Sequence, residues 1–372
     1  MVGLQNKTDI FIVGGGPAGL AAAIAASQIG LRITVADGAL PPIEKPCGEG
    51  MMPSTLAALN SLDVAFEHGD GHSFRGISFV QRDAAVTADF SHGLAIGLRR
   101  TVLHQRLVAR AEACGVRLLW KTPVSGIDGN TVRLSPQNFH ARWIIGADGQ
   151  GSRVRRWIGL DPPGRTALRH ATRRHYRLKP WSSYMEIHWA SRAQAYVTPI
   201  ATDEVCVVML AENPRDASFD RALIEMPTLA AKLSGAELSG RERGAVTTMR
   251  SLQRVYRNNV ALLGDASGGV DAITGEGLRV AFRQAFALAD AMQAGGLKQY
   301  QRAHHRLARG PMMMGKLLLW LGRNPRIRSR AIRAMQHRPE VFVRMLAAHV
   351  GDATPAQLLS AGASLGWNLL AI

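Results

Sequence analysis

Gly14, Gly16 and Gly19 are spaced as Gly-x-Gly-x-x-Gly, with Pro17 and Ala18 between the last two. This spacing suits the pyrophosphate of a dinucleotide, because bare backbone must approach two phosphates where a helix N-terminus offers unpaired N–H groups. Asp37 follows the glycines by about 20 residues, where a carboxylate can accept hydrogen bonds from an adenosine ribose. The plainer reading is a glycine turn in an ordinary α/β fold. The elements around the glycines weigh against it. Asp9 to Val13 reads as a strand, the small-residue run Leu20 to Ala26 as a helix, and Leu31 to Ala36 as a second strand, which completes a βαβ unit. The fingerprint alone does not separate NAD from FAD.

Two later segments carry polar groups at strand ends. Ile145-Gly-Ala-Asp-Gly-Gln-Gly-Ser-Arg-Val-Arg155 reads as a strand and a tight turn holding Asp148, with Ser152 as a helix cap and Arg153 and Arg155 facing anionic groups. In the segment Val260 to Arg279, the strand Val260 to Leu263 places Gly264 and Asp265 at its carboxyl end, the usual ligand side of such sheets. Thr274-Gly275-Glu276-Gly277 then starts a helix whose N-terminus favours negative charge. The first segment resembles the DG motif of the para-hydroxybenzoate hydroxylase-like flavoproteins, matching GADGxxSxVR at every fixed position, and the second resembles their GD motif. The resemblance implies FAD held non-covalently, with Asp265 on the ribityl chain and the Gly275–Gly277 helix start facing the flavin N1 and C2 carbonyl. Arg100, which opens the helical pattern Arg100, Leu103, Leu107, resembles the family's arginine near the flavin and its phosphates; its spacing alone reads equally as a solvated arginine.

Lys45-Pro-Cys-Gly-Glu-Gly50 and the Thr-Gly-Glu-Gly spelling lean towards the geranylgeranyl reductase-like branch of this superfamily, in which the cysteine loop approaches the flavin. That resemblance implies Cys47 and Gly48 beside the ring, where a small thiol fits; otherwise the segment is a glycine turn with an incidental cysteine. The branch's Tyr-x-Trp-x-Phe-Pro element is not reproduced. The comparable place reads Ala195-Tyr-Val-Thr-Pro-Ile200, leaving Tyr196 and Pro199 as candidates for the substrate pocket. The tryptophan-halogenase pattern Trp-x-Trp-x-Ile-Pro is also missing, which discounts halogenation. Other relatives of this architecture are single-component monooxygenases. The function they imply is NAD(P)H-dependent oxygenation of a hydrophobic aromatic or polyketide-like small molecule through a flavin C4a-hydroperoxide. The alternative enzyme is a reductase of carbon–carbon double bonds in a prenyl or other lipid, and the non-enzyme alternative is an FAD-binding regulatory protein. A second Gly-x-Gly-x-x-Gly and a Cys-x-x-Cys pair are both missing, against a two-site disulfide reductase. His68, His72, His92 and Glu49 read first as surface or hydrogen-bonded structural groups, so no catalytic residue is assigned. Cys47, Cys114 and Cys206 have no metal-ligand spacing, and no metal is expected.

These residues must be positioned by a chain of 372 residues, 47% hydrophobic, enough to bury a large core in more than one domain. Arg100 to Ala113 reads as a helix and Val116 to Trp120 as a further parallel strand, whereas 75–90 and 171–211 show short alternating runs that suggest an antiparallel sheet. After Asp290 the pattern is helical to the end, with Pro311 and Pro325 as breaks. The expected fold is therefore α/β. A Rossmann-type FAD-binding domain spans 1–70, 93–160 and 251–297, an inserted antiparallel β-sheet substrate domain spans 71–92 and 161–250, and a helical region spans 298–372.

The formal charge of +17 gathers near the C-terminus, where residues 297–344 carry twelve Lys or Arg against Glu340 alone. Arg323, Arg326, Arg328, Arg330 and Arg333 read first as a solvated helix face over Leu318, Leu319 and Ile332. In the alternative, that face rests peripherally on an anionic membrane and Met312, Met313, Met314 and Trp320 border the way in for a hydrophobic substrate. No nucleic-acid partner is expected, since no binding module accompanies the charge. The first thirty residues lack the order of a signal peptide, and no apolar stretch near the C-terminus approaches the ~20 residues of a membrane span. The expected location is the cytoplasm. Oligomeric state is not legible.

Overall fold

A continuous apolar run, Ile10 to Val13, makes Lys7–Val13 the central strand of a parallel sheet covered on both faces, with Ile10, Phe11 and Ile12 fully buried. The computed structural model describes residues 6–82, 84–162 and 167–350. The sheet runs Tyr256–Arg257, Val260–Leu262, Phe139–Gly146, Lys7–Val13, Ile33–Ala36, Arg117–Leu119, and only the first pair is antiparallel. The meander Gly126–Asp128 and Thr131–Arg133 extends it from Phe139–Gly146. Helix Pro17–Ser27 is sheathed on nearly every side, which its alanines permit, because they let Arg100–Ala113 and Gly277–Gln293 approach closely.

A second sheet runs Glu237–Leu238, Leu168–Arg177, Glu204–Ala211, Ala193–Ala201, Tyr184–Trp189, Gly76–Gln81, Ala84–Asp89, with Arg243–Thr248 also paired to Leu168–Arg177. It is antiparallel except where Tyr184–Trp189 lies parallel to Gly76–Gln81. Those two strands are joined by a long stretch of the parallel-sheet domain, so no tight hairpin dictates their direction. Both faces of this sheet are covered. Phe219–Ile224 and Pro227–Leu233 close one side around Tyr176, Val197 and Val207, and the C-terminal helices close the other around Phe79, Ile187 and Val208. A small third sheet, Gly50–Met51, Ala95–Leu98, Gly71–Phe74, lies against Ala193–Ala201 and ties the two larger parts together.

Three helices follow: Lys298–Arg323, Pro325–His337 and Pro339–His349. Pro325 opens its helix, as its missing N–H allows. Pro311 does not break the chain as expected. It sits buried inside Lys298–Arg323, where packing of the long helix offsets the cost of one lost hydrogen bond. The expected solvated arginine face is also incomplete. Arg323, Arg326, Arg330 and Arg333 are exposed, but Arg328 turns inward, only 3% exposed, to donate to the Ala190 carbonyl (2.9 Å) and the Gly322 carbonyl (3.1 Å). Its guanidinium lies 5.2 Å from the Trp189 ring, and burial lowers its pKa to about 10. The expected helical structure over 351–372 lies outside the described residues. Among those described, no helix is long and apolar enough to cross a membrane.

Candidate cofactor and substrate site

The glycine turn needs glycine for steric reasons. Gly14 has φ +113°, and a Cβ there would lie 2.5 Å from the Ala147 carbonyl oxygen; a Cβ on Gly19 would lie 2.0 Å from the Gly14 oxygen. Gly19 thus seats the helix on the strand and does not face the cavity. Around Gly16 the added atom meets nothing, because this position opens on a cavity of about 590 Å³. That volume lies within the range of about 300–1,000 Å³ for small-molecule sites.

Gly14, Gly16, Pro17, Ala18, Asp37, Cys47, Gly48, Arg100, Asp148, Gly264, Asp265, Gly275 and Gly277 all line this cavity. Asp37 accepts from Gly15 N at 2.7 Å and Ala39 N at 2.8 Å, so its carboxylate fixes the glycine turn as well as facing the cavity. His104, which sequence reasoning missed, completes the brace: its Nε2 lies 2.8 Å from the Gly15 carbonyl, and Ile43 N donates to its Nδ1 at 3.4 Å. Burial, the largest influence, lowers its pKa, which suits the neutral tautomer these contacts require.

Asp148 accepts from Ser152 Oγ (2.5 Å), Arg153 N (2.7 Å) and Val154 N (3.1 Å), while Ser152 Oγ caps the helix Arg153–Trp157 by accepting from Arg155 N. Arg155 faces an anion inside the protein. Its guanidinium is buried and bridges Asp161, the Gln150 carbonyl and the Ala266 carbonyl, which locks the two strand-end motifs together. Asp265 stands just past the strand Val260–Leu262 and pairs with Lys45 Nζ at 2.8 Å. Gly277 opens the helix Gly277–Gln293 at the cavity wall, with Glu276 at its N-cap fully buried and paired with Arg279.

The 45–50 loop is held from three directions. The Thr198 hydroxyl donates to the Gly48 carbonyl (2.7 Å), the Cys206 thiol to the Cys47 carbonyl (3.8 Å), and Leu98 N to the Glu49 carbonyl (2.9 Å). Glu49 adopts φ +59°, unusual for a residue with a side chain, and is 4% exposed. Its carboxylate accepts from Arg100 N (3.1 Å) and Arg173 (3.1 Å) and lies 2.7 Å from His175 Nε2. Arg173, itself 1% exposed, also pairs with Glu44. Burial pushes the Cys206 thiol well up, reinforced by the nearby Glu49 charge. Sequence reading weighed Glu49 only as a weak candidate and overlooked Arg173, His175, Thr198 and Cys206, whose strands are far from the loop in the chain. An acid flanked by glycines was the one local signal.

The substrate candidates separate. Tyr196 lines the cavity and donates its hydroxyl to the Ile273 carbonyl at 3.1 Å, and burial raises its pKa. Pro199 does not line it; its carbonyl packs on Gly97 at the irregular end of Ala193–Ala201. Of the weak acid or base candidates, His68 and His92 are exposed and His72 is half-buried.

A glycine turn, strand-end aspartates and a helix start converging on one cavity, with a β-sheet closing it, define a protein built to hold a dinucleotide cofactor against a second ligand. The chain belongs to the FAD binding domain family, which matches residues 7–295. It is an FAD-dependent oxidoreductase. It is 26% identical over 303 residues to a menaquinone reductase of Mycobacterium tuberculosis (strain ATCC 25618 / H37Rv), covering 74% of each chain. It is also 26% identical over 316 residues to a 12-dehydrotetracycline 5-monooxygenase/anhydrotetracycline 6-monooxygenase of Streptomyces rimosus, covering 76% of this chain and 62% of the relative. In fold it is similar to a flavoprotein/dehydrogenase from Cytophaga hutchinsonii, with a TM-score of 0.80, 19% identity and 93% of each chain covered.

Proposed function

We propose that the protein reduces carbon–carbon double bonds in a hydrophobic, isoprenoid-bearing substrate, using FAD and NAD(P)H. The observation that carries this reading is the shape of the cavity's far end. Beyond the glycine-lined half, Met52, Met185, Val208 and Leu210 make the walls apolar, and a narrow apolar pocket continues between the second sheet and the C-terminal helices. The two spaces share Met52, Met185, Tyr196 and Gly275, and the narrow one is walled by Ile77, Phe79, Leu318 and Phe342. The narrow pocket, about 40 Å³, takes only the tip of a hydrocarbon chain lying along the apolar walls of the larger cavity, where burying each CH₂ contributes about 0.8 kcal/mol. The menaquinone reductase, matched over most of both chains, supports a lipid substrate.

When bound, FAD supplies the hydride for this reaction. The chain supplies the frame, since Gly14, Gly16, Asp37, Lys45, Cys47, Gly48 and Asp265 line the same cavity as the apolar Met52, Met185, Val208 and Leu210. The exposed Arg326, Arg330 and Arg333, with Trp320 half-exposed nearby, suit peripheral contact with an anionic bilayer from which such a substrate could be drawn.

The second reading is oxygenation of a hydrophobic aromatic or polyketide-like compound, supported by the Streptomyces rimosus relative. One experiment separates them. Holoenzyme is incubated with NADH or NADPH and either menaquinone or a geranylgeranyl lipid, with and without oxygen, and products are read by mass spectrometry. Gain of two hydrogens and no oxygen, retained after any quinol has been reoxidised in air, is the expected result. A product that gains one oxygen atom, and only in air, replaces it with the second reading. FAD that is never reduced and reoxidised under any of these conditions returns the protein to a binding or regulatory role.

A further inference from the structure

A second cavity of about 340 Å³ lies between the Asp265 turn and the helix Lys298–Arg323. It shares Gly264, Asp265, Val270 and Gly277 with the main cavity, so the two spaces adjoin at these residues. Its charge is one-sided. Arg250, Arg309 and Lys316 line it, and its one acid, Asp265, is already neutralised by Lys45. Arg309 and Lys316 take part in no ion pair among the described residues and are exposed, whereas Arg250 is held near Asp161 at 3.9 Å.

Behind the wall lies a buried histidine. His304 is 5% exposed and its Nε2 lies 2.9 Å from Ser267 Oγ. That hydroxyl gives its proton to the Gly264 carbonyl at 2.8 Å, so the histidine is the donor, and its other nitrogen, Nδ1, is left as a buried acceptor with no partner. Burial lowers the pKa of His304 to about 4, which keeps the ring neutral. A ligand that matches this wall carries phosphates for the cations.

We propose that this second cavity holds the diphosphate of the nicotinamide dinucleotide that reduces the flavin. The inference rests on NAD(P)H being the electron donor. The sequence has no second glycine fingerprint, so the donor's phosphates must be gripped by side chains, and Arg309 and Lys316 are free to do so. The shared wall places a ligand here in contact range of whatever occupies the main cavity at Gly264 and Gly277.

The test is calorimetric titration of the FAD-loaded enzyme with pyrophosphate and with ADP-ribose, beside stopped-flow reduction of the bound flavin by NADH and NADPH. Arg309→Ala/Lys316→Ala should weaken both ligands by about tenfold and raise the half-saturating donor concentration by a similar factor, with FAD content, read by absorbance, as in the wild type. Unchanged affinity in the double variant overturns the proposal. Affinity that falls as expected while neither NADH nor NADPH reduces the flavin of the wild type overturns the choice of donor instead. Loss of binding to phosphatidylglycerol vesicles with pyrophosphate affinity intact identifies a lipid headgroup site and also overturns it.

Discussion

Gly16 and Glu49 show how single residues act in this site by opposite means. Gly16 matters for what it lacks: open space lies where its Cβ would stand, so a side chain there would fill the path of the pyrophosphate without disturbing its own fold. Gly16→Val should leave the melting temperature of the apoprotein near wild type and weaken FAD by about a hundredfold, equivalent to about 3 kcal/mol, as read by flavin fluorescence on titration. Equal affinity would remove Gly16 from the cofactor site. Glu49 matters for what it neutralises. Arg173 and His175 are both buried, and Glu49→Ala would leave Arg173 facing only Glu44. Removing one partner of a buried pair costs about 3–5 kcal/mol, which for a chain of this size is a fall of about 5 °C in melting temperature. Glu49→Gln keeps the shape and the acceptor oxygen, and should recover part of the loss. If both variants melt with the wild type, the carboxylate is not the keystone of this loop.

Among the elements, the helix Lys298–Arg323 carries a conflict between propensity and packing. Pro311 costs about 3 kcal/mol in a helix interior, while its buried ring returns on the order of 1 kcal/mol. Pro311→Ala should therefore raise the melting temperature by a few degrees, measured by the loss of helical circular dichroism on heating. A fall would mean that the proline ring fits its neighbours too well to be replaced. The next helix, Pro325–His337, is anchored through Arg328, whose guanidinium reaches across to the Ala190 carbonyl, so its inward face is set by a donor and not by an apolar side chain alone.

Across the whole molecule, acid should loosen the parts that two neutral histidines join. His104 braces the glycine turn of the parallel sheet, and His304 clamps the helix Lys298–Arg323 to the Asp265 turn through Ser267. Burial lowers both pKa values, that of His304 from 6.5 to about 4. In the window between these values the unfolded chain binds more protons than the folded one, so stability falls as pH drops from 6.5 towards 4 and levels off below. His304 alone contributes up to about 3 kcal/mol of this fall. Melting curves across that range should be flatter for His304→Gln than for wild type; parallel curves would show that His304 takes up its proton without loosening the fold. Repulsion among the surplus cations of a chain already at +17 acts in the same direction.

The sequence by itself determined the cofactor half of the protein. The glycine fingerprint, Asp37, Asp148, Asp265 and the Gly275–Gly277 turn are local motifs, in which the residues that line the cavity are chain neighbours of the strand or helix that presents them, and spacing alone reveals them. Tertiary structure decided what is built from distant segments. Glu49, Arg173, His175, Thr198 and Cys206 come together because the second sheet folds back on the 45–50 loop, and no period in the chain records that meeting. Pro311 read as a break because propensity speaks for one element at a time, whereas burial is settled by all the elements around it. Arg328 read as solvent-facing for the same reason: charge predicts exposure only until a set of carbonyls, such as those of Ala190 and Gly322, is in place to receive it.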